Sequence, residues 1–452
     1  MSGQSVQALS GAAAIAGIGA TDFSKDSGRS ELRLASEAVR LAVEDAGLTP
    51  ADVDGLVSFT MDTNMEIAIA RALDIPELKY FSRIHYGGGA ACATVQQAAI
   101  AVATGVADVV VAYRAFNERS GKRFGQVDTG LVNRVDSGGA DYAFSYPHGL
   151  STPAGTVAMM ARRYMHEYGA TSEDFGRIAV TDRKHAAVNP NAFFYDKPIT
   201  LEDHQNSRMI ADPLHLLDCC QESDGGIAIV VTSAERAKDL PQKPVSILGA
   251  AQGSARDQFM MMSYYRPDLA CIPEMGLVGR QLWEQSGLRA QDMDVAVLYD
   301  HFTPYVLMQL EDLGFCGRGE AKDFVREPGA LEVGGTLPLN THGGQLGEAY
   351  IHGMNGIAEG GAADPRHLGE SGRRRGARPR HRRHRCADLR SGVGGIATAP
   401  AARSCRGPAR RSRRARPRLL CRGRPFAYSS LADGTAFRPA LTWGFVFGWG
   451  WA

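Results

Sequence analysis

The sequence predicts an α/β chain of two similar halves, followed by a tail of different character. Three observations predict it. Helix, glycine and apolar strand alternate along the first 360 residues, a pattern around residue 47 returns around residue 287, and the charge reverses after residue 360. With 44% apolar and 22% charged residues over 452, the chain is rich enough in core formers to exclude disorder throughout. The first 360 residues hold 29 basic and 45 acidic side chains, whereas residues 361–452 hold 21 Arg, no Lys and 4 acids.

Taken in order, AAIAGIGA is a short buried strand, and SELRLASEAVRLAVEDAGL an amphipathic helix stopped by Gly47. VDGLVSF reads as the second strand. ATVQQAAIAVATGVADVVVAYRA repeats the scheme, with Gly105 as the helix stop and VVVA as a fully buried strand. The AGIGA glycines lack the rest of a dinucleotide-binding fingerprint, so they are read as packing glycines.

The repeat follows the same grammar. Gly47-Leu48 precedes Asp52 and Asp54; at the same spacing Gly287-Leu288 precedes Asp292 and Asp294, and Glu44 matches Glu284. A strand containing Gly17 opens the first copy, and VSILGAAQG with Gly249 opens the second. Duplicated βα halves imply a pseudo-two-fold fold with a site where they meet.

Other features exclude function classes. No run approaches the roughly 20 apolar residues of a membrane helix, and the N-terminus lacks the basic start and long apolar core of a signal peptide. Eight scattered Cys form no CxxC pair, which argues against a zinc knuckle or disulfide framework and for a reduced, cytoplasmic protein with no metal site of its own.

Three further segments carry a family likeness. They are RRYMHEYGATSEDFGRIAVTDRKHAAVNPNAFF (162–194), ADPLHLLDCCQESDGGIAIVVTSAERA (211–237) and NTHGGQLGEAYIHGMNG (340–356). With the duplication, they make the chain resemble the thiolase superfamily over about residues 12–360, in particular its sterol-carrier-protein/thiolase-like branch. The resemblance implies a five-layer αβαβα fold with an inserted loop domain. The halves would be 1–243, including a loop domain at about 115–210, and 244–360, with 361–452 an aberrant tail.

Position by position, the resemblance implies altered chemistry. A thiolase nucleophile would stand twenty residues before Asp108 of the Gly105-Val106-Ala107-Asp108 turn, which is Gly88; Cys92 lies one helical turn too late. Cys92 is read as a buried small hydrophobe. In the signature beginning Asn340 and running through Gly343 and Gly344, the His position holds Tyr350. In the third box, Tyr299-Asp300-His301-Phe302, Tyr299 replaces the first residue. Without a nucleophile there is no acyl-enzyme.

Tyr299 and Tyr350 are therefore expected to be the acid and base of a retro-aldol cleavage, provided an electropositive site lowers one phenol from its usual value near 10. His301, Asn340, His342, Gly343 and Gly344 are expected to support them and the enolate oxygen. The steroid side-chain-cleaving aldolases of this superfamily are the nearest likeness. They imply cleavage of a 17-hydroxy-steroid acyl-CoA to a 17-keto steroid and propionyl-CoA, as in cholesterol catabolism. They also imply no cofactor beyond the coenzyme A of the substrate, and a homodimer through the region around the core strand VVVAYRAF. A small zinc-ribbon/OB-fold subunit would complete a heterotetramer and would carry the only zinc. The competing reading is a lipid-transfer protein that has lost catalysis.

The tail contains RRRGARPRHRRHR and ARRSRRARPR, which would suit nucleic acid. That reading is rejected in favour of a frameshift, because Arg/Ala/Gly/Pro bias without Lys is what GC-rich DNA gives out of frame. Synonymous codons for GVRQIRGTSV exist that, with one base inserted after the first, encode GGAADPRHLG, residues 360–369. Continued, ESGRRRGARPRHRRHR corresponds to NQVADVEHVLVTAGTG, a helix end followed by an apolar strand. Resequencing the coding DNA around codon 360 is expected to show the extra base; an intact frame in independent clones would refute the idea.

Overall fold

Apolar residues recurring every two positions, or in unbroken runs, set the first sheet of the protein, a computed structural model. It describes residues 9–85, 90–121, 123, 125–126, 143–258, 261–263, 265–362 and the backbone of 443–444. The first-half elements are β1 (Ala13–Ala20), α1 (Glu31–Asp45), β2 (Gly55–Phe59), α2 (Glu66–Leu73), β3 (Tyr80–Ile84), α3 (Ala91–Ala103) and β4 (Val109–Asn117). Residues 118–223 then leave the sheet as α4 (Pro153–Tyr168), α5 (Ser172–Val188), α6 (Leu201–Asn206) and a hairpin of β5 (Met209–Ala211) and β6 (Leu214–His215). β7 (Asp224–Ser233) returns to the sheet, followed by α7 (Ala234–Ala237). The excursion is longer than the expected 115–210, because the chain re-enters the sheet only at Asp224.

The six-stranded order is β3-β2-β4-β7-β1 with β8 (Val245–Ser246) at the far edge. β2 is parallel to β3 and β4, and β7 is antiparallel to both β4 and β1. β4 and β7 are buried along nearly their whole length, as expected for strands covered on both faces. β4, the strand VVVAYRAF, has hydrogen-bonded neighbours on both sides, so its own backbone has no free edge for a second chain. One edge of the sheet is β3, where Phe81 is exposed.

Ser30 caps α1 by accepting the Arg33 N–H at 3.3 Å. The buried positions Leu34, Ala35, Ala38, Val39, Ala42 and Val43 form a stripe at helical spacing. That stripe lies directly on β1. A Cβ on Gly17 would stand 2.4 Å from the Ala42 carbonyl oxygen, and one on Gly19 2.3 Å from that of Ala38. The AGIGA glycines are packing residues, as read.

The duplication survives in detail. Gly47 and Gly287 both take positive φ, 69° and 71°. Each precedes a 3-10 turn, Pro50–Asp52 and Ala290–Asp292, in which the Asp accepts the backbone N–H three residues earlier at 2.9 Å. The second half continues with β9 (Ala250–Ala251), α8 (Pro273–Ser286), α9 (Thr303–Asp312), α10 (Ala321–Arg326), α11 (Gly344–Gly347) and α12 (Met354–Ala362). Ala296 and Leu339 form a parallel bridge. From the tail, Trp443–Gly444 (β10) pairs with β9; the rest of the tail expected at 361–452 lies, beyond Ala362, outside the described residues.

Gly19→Ala should destabilise the chain by about 1–3 kcal/mol or more through overpacking against α1. Chemical denaturation of the variant beside the parent checks this; an unchanged midpoint would show that the helix can move away.

Candidate functional site

Tyr299 follows the second-half segment that carries Ala296, and its backbone is clamped by Gln309 of α9. Its N–H donates to Gln309 Oε1 at 3.1 Å, and its carbonyl accepts from Gln309 Nε2 at 2.9 Å. Tyr350 comes from the loop between α11 and α12 and donates its backbone N–H to Ser223 Oγ at 3.2 Å. The two phenols, 51 residues apart in sequence, share a hydrogen bond with oxygens 3.0 Å apart. His301 stacks on Tyr299 with ring centroids 4.6 Å apart, and His352 meets the Tyr350 ring edge-on at 5.1 Å.

Tyr350, His301 and His352 open onto a cavity of about 570 Å³, whose wall also includes Lys25, Glu118, Cys220 and Glu222. Tyr299 stands behind Tyr350. Among the described lining residues there is none of Asn340, His342, Gly343 and Gly344; they hold the loop instead. Asn340 Oδ1 accepts the Leu298 N–H at 2.8 Å, and the Gly343 N–H donates to the Asn340 carbonyl at 2.8 Å. Gly343, with φ 108°, lies where a Cβ would strike Ala186 at 2.5 Å. Gly344, with φ 64°, faces Asp300 Oδ2 so closely that any side chain would collide. These contacts fix the loop that carries Tyr350. Gly88 lies outside the described residues. Cys92 is buried near the start of α3, away from the described cavity wall.

The electrostatics differ from the sequence expectation. Burial pushes both phenols well above their usual value, and the nearby Glu118 carboxylate pushes each further. The hydrogen bond from Tyr350 lowers Tyr299 in turn, but burial dominates in both and favours the protonated phenols. Burial likewise raises the Cys219 and Cys220 thiols, leaving no thiolate in the wall. Burial pushes His301 down to about 3, and His352 well below the usual imidazole range with Arg114 adding to the effect. Arg114 is itself buried, donating through Nε to His352 Nδ1 at 3.1 Å and pairing with Asp62 at 3.0 Å. Lys25 is pushed down to about 8 by burial, and donates to Gln221 Oε1 at 3.0 Å.

Lys25, Glu118, Glu222 and His352 were not among the expected site residues. Only His352 had a local signal, two residues after Tyr350. Among the described residues no group of three or more His, Cys, Asp or Glu could hold a metal.

The Thiolase N-terminal domain model matches residues 13–235, and the Thiolase C-terminal domain-like model matches 255–363. The 17-hydroxy-3-oxo-4-pregnene-20-carboxyl-CoA lyase of Mycobacterium tuberculosis is 74% identical over 352 residues, which is 78% of this chain and 91% of that protein. A steroid side-chain-cleaving aldolase of Thermomonospora curvata is 70% identical over 351 residues, 78% of this chain and 90% of that protein. The solved Ltp2-ChsH2(DUF35) aldolase superimposes with a TM-score of 0.74 at 69% identity, covering 78% of this chain and 90% of that one.

Glu348 gives a pH test of the loop. It lies 3.9 Å from His342, yet burial raises its carboxyl to about 8 and lowers His342 to about 3, so the contact is between neutral groups. The folded chain holds this proton more tightly than the unfolded chain, whose value is near 4.5. Its stabilising contribution is therefore complete below that pH and lost as pH rises through about 8. Glu348→Gln should remove that loss, seen as a smaller drop in melting temperature between pH 6 and pH 9.5 than in the parent.

Proposed function

The chain belongs to the thiolase family, and from that premise we propose that it uses the scaffold for carbon–carbon cleavage instead of acyl transfer. It is an aldolase of the carbon–carbon lyase class, and its reaction is retro-aldol cleavage of a steroid acyl-CoA thioester. The substrate class is that of its 74%-identical relative, a 17-hydroxy-steroid carboxyl-CoA, giving a 17-keto steroid and propionyl-CoA. The observation that carries this reading is the Tyr299–Tyr350 pair at 3.0 Å beside a cavity whose thiols are held protonated.

The protonated phenols suit the acid half of the reaction. Tyr350, on the cavity wall, protonates the α-carbon of the thioester enolate, and Tyr299 stabilises the resulting phenolate through their shared hydrogen bond. No thiolate nucleophile is needed, and the substrate itself brings the coenzyme A, so the chain requires no further cofactor.

The assembly is a homodimer joined by a small zinc-ribbon/OB-fold subunit per chain, which carries the zinc. Two observations support partners: the exposed Phe81 on edge strand β3, and the two-component name of the solved relative. No helix among the described residues is long and apolar enough to cross a membrane, which agrees with work in the cytoplasm. No nucleic acid enters this reading.

Incubation with 17-hydroxy-3-oxo-4-pregnene-20-carboxyl-CoA should release the 17-keto steroid and propionyl-CoA, detected by mass spectrometry. Tyr350→Phe should lower turnover roughly 10²–10⁴-fold, the range for one general acid, while Cys92→Ala keeps most activity. Loss of turnover in Cys92→Ala with both Tyr→Phe variants active would make the chain a thiolase variant.

A further inference from the structure

The reaction needs a base for the β-hydroxyl proton, and two protonated phenols do not supply one. The cavity wall does. We propose that Glu118, the residue directly after β4, is that general base, the inference resting on the aldolase reading above.

Its position is built. β4 ends at Asn117, and the buried Asp224 accepts the N–H groups of the next residues, Arg119 at 2.9 Å and Ser120 at 3.0 Å. The backbone on both sides of Glu118 is thereby fixed. Its side chain is 2% exposed yet lines the same cavity as Tyr350, and Oε2 has no hydrogen-bond partner among the described residues. A buried carboxylate oxygen with an open lone pair beside a ligand-sized space is costly unless a ligand uses it.

The other bases in the wall are committed or weak. Glu222 pairs with Arg123 at 2.5 Å. Lys25 donates to Gln221 and to the Glu222 carbonyl. His352 accepts from Arg114, and His301 is too weakly basic at about 3. The groups that set the Glu118 proton affinity are Glu222, which raises it, and the Ser223 backbone N–H, Arg114 and Lys25, which lower it. Burial outweighs them, holding the carboxyl well above the ordinary range. Cys220, Tyr299 and Tyr350 face it as neutral groups. A carboxylate raised toward the working pH is a stronger base than an exposed one.

The step balances. Glu118 takes the β-hydroxyl proton, the oxygen's electrons form the ketone, and the broken Cα–Cβ bond leaves its pair on the thioester enolate. Tyr350 gives its proton to the α-carbon, and Glu118 returns the captured proton to the Tyr350 phenolate. Nothing is oxidised or reduced.

The test uses the full chain with the thioester above. Glu118→Gln should cut kcat roughly 10²–10⁴-fold with thioester binding unchanged by calorimetry. It should also erase the acidic limb of the kcat/KM–pH profile, a limb that Tyr350→Phe keeps at its lower rate. Glu118→Asp should recover part of the rate, and added formate should rescue Glu118→Ala. Glu118→Gln turning over as fast as the parent, or keeping the acidic limb, overturns the assignment while leaving the aldolase reading intact. A parent chain that does not cleave the thioester overturns that reading and this inference with it.

Discussion

One buried carboxyl holds the site together. Asp300, next in sequence to Tyr299, accepts the Gln345 N–H at 2.8 Å through Oδ1 and the Leu346 N–H at 3.0 Å through Oδ2. This ties the segment after Tyr299 to the loop that carries Tyr350. Burial and the neighbouring Asp300 carboxyl raise the Asp182 group, so this pair of buried acids holds a proton between them. Removing the Asp300 side chain would orphan two buried amides, at about 1–3 kcal/mol each. Gly344 is glycine because its Cβ would occupy the space of the Asp300 carboxylate. The phenol–phenol contact is thus a consequence of main-chain geometry set several residues away.

Dryness decides the chemistry that geometry permits. Phenols, thiols and imidazoles around the cavity all become neutral, which removes the thiolate that acyl transfer requires. It keeps the tyrosines as proton donors. Charge survives in the wall mainly where it is paired, as in Arg123–Glu222. A carboxylate in such surroundings gains basicity from the burial that silences a thiol. The same desolvation therefore disables one mechanism and equips another.

What the sequence revealed follows from which interactions are local. Helix stops at Gly47 and Gly105, the strand burial of β4 and the capped turns of both copies depend on residues within a few positions, and they were legible. The tyrosines were legible because each stands beside a recognisable box. Glu118 was not, since its meaning depends on Tyr350 and Ser223, more than a hundred residues away in sequence. The Arg114–Asp62–His352 chain is hidden for the same reason. Asn340, Gly343 and Gly344 were assigned from their match to the family signature, and His342 as a donor flanking the tyrosines. Their contacts with Leu298, Glu348, Ala186 and Asp300 show them fixing the loop. An apolar run such as VVVAYRAF does not disclose whether it lies at the centre or the edge of a sheet.

The duplication also constrains the second half. In the first sheet β1 is joined to β2 through two intervening strands, β7 and β4, and β7 runs antiparallel to β1. By the repeat, the 245–251 segment and the 295–299 segment require two strands between them, the first antiparallel to 245–251. Among the described residues the only later strand is β10, which pairs with β9 over two residues and runs parallel to it. Its sense is the reverse of what the duplication demands, so it is not the counterpart of β7. The helix matching α3 is α12, which is described as far as Ala362, at the border of the arginine-rich sequence. A strand such as VLVTAG has the unbroken apolar character that β4 shows at the equivalent place, and RRRGARPRHRRHR does not. The symmetry of the fold thus asks for two strands that the described residues do not hold.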